Sequence, residues 1–135
     1  MSDMHGWHTL SKTGDKVNGV STTPGSGSTV TLYDSTVQAG GPRGAGARFK
    51  MLVINLNSSH DSAATGVTID ESNDGGANWE NLSAQSFTYQ TASGYVKTFV
   101  KVSAPEVRVK YANSANVLTR WRFSILGDSE ERGNG

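Results

Sequence analysis

The segment EVRVKYAN (106–113) sets Val107, Val109 and Tyr111 against Arg108 and Lys110 in strict alternation. That period is a strand's, because successive side chains leave a strand on opposite faces. The pattern recurs. VLTRWRFSIL places Val117, Trp121, Phe123 and Ile125 on alternate positions opposite Arg120 and Arg122, and GVTIDES puts Val67 and Ile69 on one face. TVTLYD (29–34) alternates and is rich in β-branched residues. RFKMLVINLN (48–57) is apolar on both parities in its middle, which predicts a strand buried on both faces. No segment carries a helical period. About seven or eight short strands separated by turn signals predict an all-β chain, a single antiparallel β-sandwich or jelly roll. The absence of an internal repeat sets aside a propeller or solenoid.

A chain of 135 residues makes one domain with a core large enough to fold unaided. Residues 1–28 are polar and rich in Gly, Ser and Thr, and read as an extended N-terminal arm. The sandwich is expected over 29–127 and a polar C-terminal tail over 128–135. The arm carries Trp7, Leu10 and Val17, scattered apolar residues expected to contact a partner on which the arm orders. With no cysteine there is no disulfide or thiolate chemistry. The opening MSDMHGWHTL lacks a basic segment followed by an apolar run, so it is not expected to be a secretory signal; synthesis in the cytoplasm is expected. Twelve basic and twelve acidic residues cancel, which argues against a nucleic-acid partner or an anionic membrane surface.

The stretch SNDGGANW (72–79) has three readings. As a calcium loop, Asp70, Ser72 and Asp74 followed by Gly75 match the front of an EF-hand, but the twelfth position is Asn81 and the flanks read as strands. As a catalytic site, Asp70, Glu71, Asp74 and Glu80 cluster near the turn, yet alternation sends Asp70 and Glu71 to opposite faces, and an exposed tip raises no carboxyl pKa. As a structural turn, Ser72, Asp74, Gly76, Asn78 and Trp79 resemble the Asp-box, the S-x-D-x-G-x-T-W hairpin of sialidases and of unrelated β-folds, with Asn78 where threonine is usual. The resemblance implies side chains of Ser72 and Asp74 bonding turn amides, a glycine at positive φ and an aromatic ring packed beneath. The motif occurs once here, so it implies a hairpin rather than a sialidase.

Other constellations are thin. His5 and His8 stand at HxxH spacing beside Asp3, short of a zinc ligand set. GGPRGAGAR lacks the Lys-Ser/Thr ending of a phosphate loop. No Ser–His–Asp set can be argued. No enzyme, cofactor or metal is expected. Trp7, Trp79, Trp121, Tyr33, Tyr89, Tyr95 and Tyr111 are candidates for a sugar-stacking platform, or else for core and interface anchors.

The blocks VTIDESNDGGANW, VRVKYANSA and WRFSIL, within residues 47–126, resemble the small β-sandwich virion proteins of tailed bacteriophages. The resemblance implies a structural virion protein, foremost a capsid decoration (cement) protein, bound to the major capsid protein or another virion protein and to itself as a homotrimer. A tail, fibre or connector component, or a carbohydrate- or receptor-binding module, is the alternative.

Overall fold

The computed structural model describes residues 7–37, 49 and 51–128. Ten strands follow one another: β1 (Trp7–Lys12), β2 (Lys16–Val17), β3 (Val20–Ser21), β4 (Thr29–Asp34), β5 (Met51–Ser58), β6 (Ser62–Ser72), β7 (Glu80–Asn81), β8 (Val96–Lys101), β9 (Glu106–Asn113) and β10 (Trp121–Asp128). They form two four-stranded sheets, β1-β10-β5-β8 and β4-β9-β6-β7, and the small ribbon β2-β3. All pairings are antiparallel. With the ribbon set aside, first pairs with last, second with seventh, third with sixth and fourth with fifth. The chain is one long hairpin, nested about the connection between β6 and β7 and folded over onto itself. This is the strand order of a jelly roll.

Alternation explains why the two sheets close on each other. Leu52, Ile54 and Leu56 of β5 and Phe123 and Ile125 of β10 line the inner face of one sheet. Val67 and Ile69 of β6, with Val107, Val109 and Tyr111 of β9, line the other. Each such side chain taken from water contributes roughly 1.5–3 kcal/mol. Three tyrosines, Tyr33, Tyr89 and Tyr111, are fully buried among them. Tyr89 pins the end of the sandwich: its hydroxyl donates to the Gly94 carbonyl at 2.7 Å and accepts from the Ser58 amide at 3.0 Å. Burial pushes the Tyr111 phenol up to about 12. One close approach demands glycine. A Cβ on Gly66 would stand 2.6 Å from the Ala112 carbonyl oxygen and 2.8 Å from that of Ala63.

The segment expected as a free arm is extended, but from Trp7 onward it is part of the sandwich. β1 pairs with β10 along the sheet edge. Ser11 is buried and donates to the Leu32 carbonyl at 2.6 Å, and Val17 is a core residue only 4% exposed. The Trp121 indole donates to the Thr22 carbonyl at 3.1 Å, and its ring lies against Tyr111 and Phe123. Polar composition concealed this because backbone pairing and hydroxyl bonds, rather than apolar bulk, secure the segment. The local cue is Asn18-Gly19, whose φ values of 53° and 79° make the tight turn between β2 and β3. Val117, expected inward, is 74% exposed on the connection into β10. The turn between β9 and β10 ends the alternating row before Trp121. His5, the GGPRGAGAR stretch and residues 129–135 lie outside the described residues.

These contacts reverse what a dispensable arm would do. Deleting residues 1–22 should abolish cooperative unfolding or sharply lower the urea midpoint, since β10 loses its outer partner and the core loses Val17. Gly19→Ala is the finer test: a Cβ there meets nothing within 4 Å, so only the left-handed backbone opposes it. A loss of about 1 kcal/mol in urea unfolding is expected; no loss would show that the Asn18-Gly19 turn does not hold the segment.

Candidate functional site

The loop 73–79 joins β6 to β7, whose register pairs Asp70 with Asn81 and Glu71 with Glu80. Its side chains replace the backbone bonds that a wide turn cannot make. The Ser72 hydroxyl donates to Asp74 Oδ1 at 2.8 Å and accepts from the Gly76 amide at 2.9 Å. Asp74 Oδ1 accepts from the Asn78 amide at 2.8 Å, and Oδ2 from Asn78 Nδ2 at 2.7 Å. Gly75 and Gly76 take φ of 72° and 96°, open to glycine at little cost. The Asn78 side chain and amide, then the Ser72 hydroxyl, hold the Asp74 carboxyl down to about 2.

Trp79 is half-buried, with its ring against the turn: a Cβ on Gly76 would stand 3.5 Å from Trp79 Cζ2. The Arg108 guanidinium lies 4.3 Å from its ring centroid. Arg108 also donates to Asp70 Oδ2 through Nε at 3.1 Å and Nη2 at 2.8 Å, with Lys110 Nζ at 3.9 Å. Asp70, Arg108 and Trp79 therefore clamp the loop onto the outer face of the second sheet. Three of the four carboxylates clustered near the turn are engaged in such bonds. Asp70 faces two cations, Asp74 caps the turn, and Glu71 points the other way, accepting from the Ser103 amide at 2.8 Å. Among the described residues, no three His, Asp or Glu side chains come together as a metal-ligand group.

The chemistry-bearing surface lies elsewhere, on the outer face of the sheet β1-β10-β5-β8. Phe99 of β8 stands opposite Val53 of β5, which stands opposite Leu126 of β10. Trp7 of β1 reaches Phe99 edge-on, with ring centroids 6.3 Å apart and planes at 70°. Among the described residues nothing covers these rings: Trp7 is 46% exposed, Phe99 58% and Tyr95 57%. Further along β5 the same face turns polar. A cleft of about 280 Å³ is lined by Asn55, Asn57, Tyr95, Arg122, Phe123 and Ser124.

The three residues expected to meet a partner are thus not brought together. Trp7 is on the open face, Leu10 packs half-buried against the core, and Val17 is within it. Of the aromatic candidates only Trp7 and Tyr95 are exposed on this face. Tyr33, Tyr89 and Tyr111 are core, Trp121 packs against the core, and Trp79 belongs to the other sheet. The residues that the pattern reading missed had a cue. Phe99 shares its parity with Lys97 and Lys101, so it stands in a solvent-facing row, and Asn55 and Asn57 interrupt the most apolar strand at alternate positions.

Topology, core and open face together define a jelly-roll domain with an exposed aromatic surface on one sheet. Comparison with protein-family models, curated proteins and solved structures finds no match to this chain.

The bonds around Asp74 give a pH signature. Because its folded pKa lies below the ordinary 3.8, the carboxylate stabilises the loop fully above about pH 4, and that contribution is lost as pH falls through about 2. In a carbon-13 carboxyl titration Asp74 should show a midpoint of about 2, with the Asn78 amide proton moving in step. A midpoint at the ordinary value, with Asn78 unmoved, would mean the side-chain cap is absent.

Proposed function

We propose that this protein is a structural virion component, a capsid decoration protein of a tailed phage, that attaches through the outer face of β1-β10-β5-β8 as a homotrimer. The observation that carries the reading is the Trp7–Phe99 pair, large rings left in water on a rigid sheet. Exposed aromatics set in a fixed scaffold are the residues that dominate protein contacts once a partner covers them. Jelly rolls build both viral shells and lectins, so the fold is compatible with this role without selecting it. Three of the four carboxylates singled out for catalysis, Asp70, Glu71 and Asp74, are engaged in structural bonds, which supports a binding rather than a chemical role.

A clamp of this kind works by added interface. Three copies about a symmetry axis turn modest contacts into strong attachment through effective concentration. A tail, fibre or connector position would use the same face, and the location of the protein on the particle by cryo-electron microscopy separates these. The direct test is attachment to phage heads assembled without it. Trp7→Ala with Phe99→Ser should weaken binding by roughly a hundredfold or more, as the loss of two anchor residues does, while the melting temperature changes little. Undiminished attachment of the folded double variant would reject this face as the contact.

A further inference from the structure

The polar end of the same face has the features of a ligand site in its own right. Its floor is Asn55, 7% exposed and held from both sides. The Tyr95 hydroxyl donates to Asn55 Oδ1 at 2.6 Å, and Asn55 Nδ2 donates to Ser124 Oγ at 2.9 Å. Tyr95 is therefore an exposed ring whose orientation is fixed by its own hydroxyl. A ring tethered in this way has little freedom to lose when something stacks on it.

The hydrogen-bond inventory of the cleft is lopsided. Arg120 Nε donates to Asn57 Oδ1 at 2.7 Å. A guanidinium can only donate, so this bond fixes the amide with its oxygen engaged and leaves the Nδ2 hydrogens uncommitted. Arg122 stands directly opposite Asn57 in the register and, among the described residues, has no carboxylate partner. Asn55 Oδ1 is taken by Tyr95, and Ser124 Oγ already accepts from Asn55 while its own proton remains to be given. What remains is a guanidinium, an amide and a hydroxyl, all donors, beside one fixed aromatic ring.

We infer that this cleft binds an acidic saccharide, with one face of the pyranose ring on Tyr95, its carboxylate on Arg122 and its hydroxyl oxygens on Asn57 and Ser124. The about 280 Å³ of space suits a sugar ring rather than a longer ligand. A planar guanidinium matches a carboxylate in bidentate fashion. An anion without a ring would leave Tyr95 unused, and a neutral sugar would leave Arg122 unpaired. The site stands apart from the aromatic docking pair. Val53, opposite Phe99, and Asn57, opposite Arg122, are four residues apart on β5, roughly 13 Å at strand rise. Its fate and that of the proposed attachment are read by different experiments.

The test is a nitrogen-15 titration of the full chain. The probes are digalacturonate and 3′-sialyllactose as acidic saccharides, maltose as a neutral one, and acetate and inorganic phosphate as anions without a ring. Saturable shifts confined to Asn55, Asn57, Tyr95, Arg122 and Ser124 are expected with at least one acidic saccharide. Maltose should bind roughly tenfold more weakly, and acetate and phosphate should not saturate. Arg122→Gln should remove the preference for acid over neutral sugar. Tyr95→Ser should remove saccharide binding altogether; Arg122→Gln should keep the wild-type melting temperature, while Tyr95→Ser, which takes the donor from Asn55 Oδ1, should stay folded with a somewhat lower one. The inference is overturned if neither acidic saccharide shifts the cleft, if acetate or phosphate saturates it as tightly, if maltose binds equally well, or if Arg122→Gln leaves the preference intact.

Discussion

The structure depends on one constraint, the nesting of antiparallel pairs about the loop 73–79. β6 and β7 pair closest to it, then β5 with β8, β4 with β9, and β1 with β10 outermost. Every pair is set by register, and a slip of one residue would turn each inner row outward. The loop therefore matters less as chemistry than as the hub that fixes where the two halves of the chain begin to match. Ser72, Asp74 and Asn78 hold it by side-chain bonds, and the Asp70–Arg108–Trp79 clamp fastens it to the sheet.

Nesting has a cost in folding and a benefit in closure. The outermost contacts join residues far apart in sequence: the Phe123 amide donates to the Thr13 hydroxyl across 110 positions. Such long-range pairing forms slowly, because loop-closure entropy is spent before the contacts form. In return the N-terminal strand covers one side of β10, and the exposed edges are modest. β7 has only two residues, and β8 carries Lys97 and Lys101, charges that discourage further strand pairing. With these two edges guarded, the outer face of β1-β10-β5-β8 is the surface proposed to meet a partner.

The fold was legible where apolar residues alternate. EVRVKYAN turned Val107, Val109 and Tyr111 inward as its pattern says, and MLVINL became a strand buried on both faces. It was illegible where polar side chains do the holding. Ser11, Thr13 and Thr22 secure the N-terminal segment through hydroxyl and backbone bonds that composition does not reveal, and only Asn18-Gly19 marked it as structured. The turn at Asp74 could be read because each bond in it is local. The open face could not, because Trp7, Phe99 and Arg122 come from strands distant in sequence, β1, β8 and β10, and share a face only once register is fixed.

The claim on which the account rests is that this face, and not the loop, meets the partner. Covalent footprinting of exposed side chains, on the free protein and on the protein mixed with the phage heads proposed as its partner, tests it most directly. Trp7 and Phe99 should lose their labelling on attachment, while Trp79, on the other sheet beside Arg108, keeps its own. Protection of Trp79 with Trp7 and Phe99 unchanged would contradict the account and place the contact at the hairpin tip.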